Sequence, residues 1–283
     1  MKTFTIDIWE GFAYPGEDAA PDGFRPTLDA YILKARGNGP ARKRPAVVVL
    51  PGSGYAECSP RESEAVAAKF LAEGYQAFVL WYSCGPRRHP VPLLDCCRAL
   101  TIIRRNAAQW EIDPEKIIVT AFSAGAHLAL SEAVYYNADF AACPGVEREL
   151  SRPDALVLGY PVVSSGEKAH RGSFENLLGK NAAPEQLDVL SLEKHIPPNL
   201  PPVFIWHTWT DASVPVENSL LLAAALKEAG AQLEMHIFPE GRHGLSLANG
   251  ETSWDDPTFI EVHASGWLKL CLAWIRFTFG LEE

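Results

Sequence analysis

Six short, largely apolar segments recur along the chain. They occupy residues 46–50, 77–82, 116–120, 155–160, 203–206 and 233–238. Runs of this length and composition predict the buried strands of a parallel sheet. Two earlier segments, residues 5–9 and 27–33, alternate apolar and polar residues with a period of two, which predicts an antiparallel edge ahead of the parallel strands.

Helical patterns fill the intervals between these segments. They cover residues 60–73, 92–109, 123–136 and 216–229. Ser59, Pro60 and Glu62 stand where an N-cap, a first helical residue and a capping-box glutamate would open the first helix. Strand and helix alternate throughout, so the sequence predicts the α/β class: a doubly wound, mostly parallel central sheet of about eight strands flanked by helices.

The segment 164–200 has a weak strand signal and is rich in glycine and proline. Because it lies between two predicted strands, we expect it to form a small cap over a site. Nothing else indicates a second core, so residues 1–283 are predicted to form a single domain. The apolar stretch at 259–279 contains charged residues, and we interpret it as a packed terminal helix.

Composition and charge narrow the classes of partner. With 47% hydrophobic and 21% charged residues, the chain resembles a soluble globular protein. Its formal charge of −10 would repel phosphate backbones and anionic lipid surfaces, so we expect neither nucleic acid nor a membrane as partner. Neither composition nor charge decides whether the protein forms a homo-oligomer.

The six cysteines form no Cys-x-x-Cys pair, and no two histidines are spaced for a shared metal on a helix. This pattern predicts neither a disulfide framework nor a metal site, and no cofactor is indicated. The opening residues alternate apolar and polar character and reach Asp7 before an apolar stretch of signal-peptide length can form. We therefore expect a cytoplasmic protein with reduced thiols.

The first chemical signal follows the segment 116–120. There the chain continues as Ala121-Phe122-Ser123-Ala124-Gly125 and then as a helical pattern. A strand, a sharp turn at a serine and a helix are the context of a nucleophile elbow, in which small neighbours let strand and helix approach closely. Ser123 is the candidate nucleophile, although Ala121 replaces the first glycine of the usual G-x-S-x-G pattern.

Two further residues complete a candidate triad. Asp211 follows the predicted strand at 203–206, and His243 follows the one at 233–238. Their order after Ser123 is that of the α/β-hydrolase triad, and open α/β sheets place their sites at the carboxyl ends of strands. A serine needs an imidazole to accept its proton and a carboxylate to orient that imidazole. We expect His243 to be the general base and Asp211 the orienting acid.

A glycine-rich loop comes directly after the segment 46–50. Backbone N–H groups at Ser53 and Gly54, together with that of Ala124, would stabilise the oxyanion of a tetrahedral intermediate. Tyr55, Trp209 and Trp254 are candidates for the wall of an acyl or sugar pocket. His127 and Asp95 are more readily explained as packed or hydrogen-bonded residues than as catalysts.

With these residues assembled, the chain resembles the α/β-hydrolase serine esterases described as acetyl esterases or acetylxylan esterase-like proteins, which are related to the hormone-sensitive-lipase group. The likeness rests on the following motifs: Pro-Gly-x-Gly-Tyr at 51–55, Ser-x-x-Glu at 59–62, His-Pro-Val-Pro-Leu-x-Asp at 89–95, Phe-Ser-Ala-Gly at 122–125, the segment 207–211 with Val-Pro at 214–215, and Gly-x-His-Gly at 241–244.

The resemblance implies the triad Ser123, Asp211 and His243 and an activity that deacetylates small or carbohydrate esters. A small-molecule or oligosaccharide ester is therefore the expected substrate. Two alternatives stay open. An amide-cleaving hydrolase of the arylformamidase or peptidase kind would use the same three residues, and a non-catalytic binding protein would keep the same fold.

Overall fold

The computed structural model describes residues 1–19, 22–34 and 43–281. In this part of the chain, eight strands form one sheet with the order β1-β2-β4-β3-β5-β6-β7-β8. The strands are β1 (Lys2–Asp7), β2 (Thr27–Ile32), β3 (Arg44–Leu50), β4 (Gln76–Trp81), β5 (Ile112–Phe122), β6 (Ala155–Gly159), β7 (Val203–Thr208) and β8 (Leu233–Phe238). Strands β1 and β2 are antiparallel, and β3 to β8 are parallel to one another. The predicted α/β fold with an antiparallel edge is confirmed.

Helices connect the parallel strands. Their bounds are α1 (Glu64–Ala72), α2 (Val91–Arg105), α3 (Ser123–Tyr135), α4 (Arg148–Ser151), α5 (Arg171–Leu178), α6 (Pro184–Val189), α7 (Glu217–Ala229), α8 (Gly250–Ser253) and α9 (Trp267–Phe279). The terminal helix starts at Trp267, later than residue 259, because two separate 3-10 turns precede it. Among the described residues, no helix has both the length and the apolar character that a membrane span requires.

The two faces of the sheet bury separate apolar layers. In β3, Val47 and Val49 pack into one layer, and Val48 and Leu50 pack into the other. All four side chains are at most 1% exposed. Strands covered by helices on both faces need apolar residues at every position, which explains why their sequence signal was a continuous run and not an alternation.

The helix predicted at 60–73 begins differently from the expectation. A 3-10 turn at Pro60–Glu62 precedes α1, and the Ser59 side chain makes no capping hydrogen bond. The capping-box interpretation of Glu62 is therefore wrong. Its carboxylate instead points inside the protein, where the Glu62 residue is only 2% exposed.

Residues 164–200 connect β6 to β7 and contain α5, α6 and a 3-10 turn. The Asn176 amide in α5 donates a hydrogen bond to the Gly54 carbonyl at 2.9 Å. The Leu190 carbonyl lies 3.0 Å from Nε2 of His127. The segment thus packs over the loop that follows β3 and over the start of α3, on the side of the sheet where the candidate site lies.

Candidate active site

The turn between β5 and α3 holds Ser123 in an unusual backbone conformation. Its φ angle is +51°, a left-handed value that L-amino acids adopt only where the surroundings impose it. Gly125 makes the close approach possible, because a Cβ atom there would lie 2.4 Å from the carbonyl oxygens of both Leu50 and Pro51. This strand–turn–helix geometry is the arrangement expected of a nucleophile elbow.

Ala121 fits without interrupting the sheet. It pairs in register with Leu50 of β3 and with Leu158 of β6, and the pairing continues to Phe122. The Ala121 side chain is fully buried. The additional methyl group relative to glycine is therefore absorbed inside the strand, before the turn begins.

The three expected triad side chains form one hydrogen-bonded chain. Nε2 of His243 lies 2.8 Å from Oγ of Ser123, and Nδ1 of His243 lies 2.6 Å from Oδ2 of Asp211. Both distances are within the range of strong hydrogen bonds. Asp211 follows β7 and His243 follows β8, so adjacent parallel strands bring the two residues to the same edge of the sheet.

The carboxylate of Asp211 is held by several donors. Its Oδ1 accepts hydrogen bonds from the backbone N–H groups of Ser213 and Val214, at 2.9 and 3.0 Å. Burial raises the pKa of Asp211, but the hydrogen bonds from His207 and His243 outweigh it and hold this pKa well below its usual range. Asp211 is therefore ionised and can orient and stabilise a protonated imidazole.

The loop after β3 contains Ser53 and Gly54, whose backbone N–H groups were expected to be oxyanion donors. Ser53 and Gly54 both have positive φ angles, of 99° and 64°. Among the described residues, no protein acceptor pairs with the N–H group of either one. The N–H group of Ala124, in the first turn of α3, likewise has no acceptor within its own helix.

A cavity of about 530 Å³ opens above Ser123 and His243. Most of the residues that line its described wall have polar side chains, among them Ser53, Arg61, His170, Asn176, Thr210 and Arg242. Phe259 is the one large apolar side chain in that described wall. The described wall thus offers many hydrogen-bonding groups close to Ser123 and His243.

The three aromatic residues expected in the pocket wall do not line this cavity. Tyr55 is buried, and its hydroxyl group lies 2.9 Å from Nδ1 of His127. Trp209 and Trp254 are each 61% exposed and are not among the residues that line the cavity. The expected aromatic wall is therefore not a feature of this cavity, because an aromatic residue near a motif in sequence need not face the site.

Several side chains that line the cavity escaped the sequence analysis, among them His170 and Glu62. His170, which precedes α5, faces the cavity, and burial together with the nearby His243 lowers its pKa below the usual value. Glu62 reaches the base of the cavity and accepts a hydrogen bond from the Gly52 N–H group at 2.7 Å. The Ser-x-x-Glu spacing did mark Glu62, but as a helix cap. Asp95, expected to be a hydrogen-bonded residue, accepts hydrogen bonds from the Trp9 indole and the Ser83 N–H group.

Comparison with known proteins identifies the family of this chain. The BD-FAE family model matches residues 28–226. Endo-1,4-beta-xylanase B of Butyrivibrio fibrisolvens is 40% identical over 261 residues, covering 89% of this chain and 39% of that protein. An acetylxylan esterase of Xylanibacter ruminicola is 30% identical over 210 residues, covering 71% of this chain and 41% of that protein. The chain thus spans about two fifths of the length of these two relatives.

A solved structure matches over almost the whole chain. The acetyl ester-xyloside bifunctional hydrolase from Caldicellulosiruptor lactoaceticus is 41% identical, with a TM-score of 0.85 and coverage of 98% of this chain and 96% of that one. The carboxylesterase Cest-2923 from Lactobacillus plantarum shares the fold at 23% identity and a TM-score of 0.81, with coverage of 100% and 98%. The chain therefore belongs to the BD-FAE family, as an α/β-hydrolase of the carboxylesterase type that resembles acetylxylan esterases.

Proposed function

We propose that this chain hydrolyses carboxylic esters through an acyl-enzyme on Ser123, and that its substrates are acetyl esters of carbohydrates. The observation that carries the proposal is the position of the His243 imidazole, between Oγ of Ser123 and Oδ2 of Asp211. The cavity opens directly above this chain of hydrogen bonds. A substrate carbonyl in the cavity could therefore meet the nucleophile and its base together.

The proposed reaction has two halves. In the first, the Ser123 hydroxyl group attacks the ester carbonyl while its proton passes to Nε2 of His243, whose Nδ1–H group donates to Asp211. The protonated imidazole then gives its proton to the departing alcohol, which leaves the acyl group on Ser123. In the second half, a water molecule attacks the acyl carbon and gives a proton to His243. The imidazolium then returns that proton to Oγ of Ser123 as the bond between Oγ and the acyl carbon breaks, and the carboxylic acid leaves.

Charge on the carbonyl oxygen develops in both halves. The N–H groups of Ala124 and of Ser53 or Gly54 are the proposed donors to that oxyanion. Donors fixed in place by the fold stabilise the transition state more than the ground state, since they need no reorganisation as the charge appears. The positive φ angle of Ser53, which a residue other than glycine keeps only where its surroundings impose it, indicates that the loop is held in one conformation.

The polar wall of the cavity supports a carbohydrate as the alcohol half. Hydroxyl, amide and imidazole groups at Thr210, Asn176 and His170 can exchange hydrogen bonds with sugar hydroxyl groups. The names of the relatives point the same way, since one is an acetylxylan esterase and one is an acetyl ester-xyloside hydrolase. Deacetylation of xylose-based oligosaccharides is accordingly the form of the activity that we propose.

One experiment tests both parts of the proposal. The purified protein is incubated with acetylated xylo-oligosaccharides and, separately, with p-nitrophenyl acetate and p-nitroacetanilide, and the released acetate is measured. We expect acetate from both esters and little from the anilide. Release from the anilide at a comparable rate would favour an amide-cleaving enzyme, and release from p-nitrophenyl acetate alone would leave an esterase without the carbohydrate assignment. Failure to react with a fluorophosphonate probe, and no acetate at all, would favour a binding protein.

A further inference from the structure

A buried glutamate connects two loops of the candidate site. Oε2 of Glu62 accepts a hydrogen bond from the N–H group of Gly52 at 2.7 Å, and Oε1 accepts one from the Tyr160 hydroxyl group at 2.6 Å. Glu62 and Tyr160 are each at most 2% exposed. A carboxylate buried at this depth is costly unless donors satisfy its oxygens, and here each oxygen has one.

Tyr160 carries the connection to the loop that holds His243. Its hydroxyl oxygen accepts a hydrogen bond from the backbone N–H group of Ser246 at 2.9 Å. Its ring packs edge-on against the imidazole of His243, with 4.9 Å between the ring centroids. Burial, and then the adjacent Glu62, raise the pKa of Tyr160 well above its usual value, so the hydroxyl group keeps the proton that it donates.

Ser246 is fixed on its other sides as well. Its carbonyl oxygen accepts from the Trp267 indole at 2.9 Å, and its hydroxyl group donates to the Arg61 carbonyl at 2.7 Å. Its φ angle of +54° is a left-handed value, which persists only where the surroundings hold it. Ser246, three residues after His243, is therefore held in place, and the hydrogen bond to Tyr160 is one of the contacts that hold it.

Gly52 lies between Glu62 and the nucleophile. A Cβ atom at this position would lie 2.8 Å from Cβ of Ser123 and 2.9 Å from Oε2 of Glu62. The hydrogen bond to Glu62 therefore fixes the backbone beside Ser123, directly before the strained Ser53. The direction of the Ser53 and Gly54 N–H groups depends on where this backbone is held.

We propose that Glu62 is a positioning residue, which acts through Gly52 and Tyr160 to hold the oxyanion loop and the His243 loop in their places around Ser123. The inference rests on the proposed esterase activity, and it adds a residue that no triad pattern identifies. The hydrogen bonds run in one sense, from Ser246 N–H to Tyr160 O–H to the Glu62 carboxylate, and chains of this kind strengthen one another in a buried environment.

Two conservative variants break the connection at different atoms. Glu62→Gln keeps the shape of the side chain but offers an amide N–H group where a carboxylate oxygen accepted. Tyr160→Phe keeps the ring against His243 but removes the hydroxyl group. Matched controls change the same residue types elsewhere: Glu132→Gln alters a fully buried glutamate in α3, and Tyr14→Phe removes a buried hydroxyl group that contacts Ser83.

The experiment measures kcat and KM with p-nitrophenyl acetate, the melting temperature, and the inhibition constant of a trifluoromethyl ketone that forms an oxyanion on the serine. For Glu62→Gln and Tyr160→Phe we expect kcat to fall about 10- to 100-fold with KM changed by less than about threefold. Ketone affinity should fall in parallel with kcat/KM. The double variant should lose less than the product of the two single losses, because both changes break one chain.

The controls separate positioning from general destabilisation. Glu132→Gln and Tyr14→Phe should lower the melting temperature to a similar degree while kcat and ketone affinity stay within about twofold of the wild type. The inference would be overturned if Glu62→Gln and Tyr160→Phe both kept the kcat of the wild type. It would also be overturned if the two controls lost as much kcat as these variants. A wild-type protein that hydrolyses no ester would instead speak against the proposed function.

Discussion

Nε2 of His207 lies 3.3 Å from Oδ2 of Asp211, the oxygen that also lies 2.6 Å from Nδ1 of His243. Nε2 of His207 is also 3.0 Å from the Val214 carbonyl oxygen, and both neighbours are acceptors, so this nitrogen carries a hydrogen. The Ser219 hydroxyl group is the hydrogen-bond partner of the other ring nitrogen of His207, Nδ1. His207, which is fully buried, therefore donates to Asp211 and helps to fix the direction of the carboxylate.

Asp211→Asn should lower kcat markedly while the protein stays folded. The amide preserves the shape of the side chain but favours the wrong tautomer of His243, an effect that reaches about 10⁴-fold in a protease triad. The loss should be smaller than for Ser123→Ala. Asp154→Asn is the control, because Asp154 pairs with Arg104 at 2.8 Å in another part of the molecule. If Asp154→Asn lost its activity while Asp211→Asn stayed fully active, Asp211 would not be the residue that orients His243.

Ser123→Ala should abolish turnover, by several orders of magnitude, with little change in the unfolding transition. Alanine accepts the same backbone conformation about as poorly as serine does, so the strain at φ +51° is unchanged. Ser131→Ala, which alters another buried serine of α3, serves as the control and should keep activity. Covalent labelling with a fluorophosphonate, read by mass spectrometry, should disappear only in Ser123→Ala. Labelling of a different serine would refute the assignment.

Acetyl and propionyl esters should be hydrolysed best in a p-nitrophenyl ester series. An apolar trough would reward each additional methylene by up to about 0.8 kcal/mol, roughly fourfold in kcat/KM. The cavity offers no such trough in its described wall, where Phe259 is the one large apolar side chain. We therefore expect kcat/KM to fall steeply by hexanoyl and octanoyl esters. A steady rise towards octanoate would reject the acetyl-ester assignment and leave the role of Ser123 untouched.

Gly125→Ala should be far more damaging than a methyl group usually is inside a helix. The new Cβ would lie 2.4 Å from two backbone carbonyl oxygens, which cannot move without displacing β3 or the loop after it. We expect a loss of about 1–3 kcal/mol in the free energy of unfolding, and a larger relative loss of kcat. Gly250→Ala is the matched control, since no atom lies within 4 Å of its Cβ position. Equal behaviour of the two variants in urea unfolding would contradict this account of the elbow.

Acidification should destabilise the protein through His127. Burial lowers the pKa of His127 from its usual 6.5 to about 4. The unfolded chain therefore binds a proton between these values that the folded chain does not, so stability falls as pH drops from 6.5 towards 4. The contribution amounts to at most about 3 kcal/mol at the lower limit. His127→Gln should flatten the pH dependence measured by urea unfolding, and parallel curves for variant and wild type would rule the contribution out.

The sequence by itself determined the fold class and the chain order of the site. Parallel strands buried on both faces must be apolar throughout, so β3 to β7 were visible as continuous runs within a few residues of their bounds. The candidate residues Ser123, Asp211 and His243 could be chosen because each one follows such a run, and because strand ends meet at one edge of a parallel sheet.

Only the tertiary structure decided which other side chains face the cavity. Trp209 follows β7 and Trp254 follows α8, but both are largely exposed and neither lines the cavity. His170 lies in the segment expected to cover a site and Glu62 at an expected helix start, yet neither pattern predicted that these two side chains reach the cavity. The capping-box spacing of Glu62 was a local signal, and a contact across 98 residues with Tyr160 overrode it. Local periodicity reports which face of an element is buried, whereas the partner of a buried polar group is set by segments distant in sequence, and these meet only when the sheet has assembled.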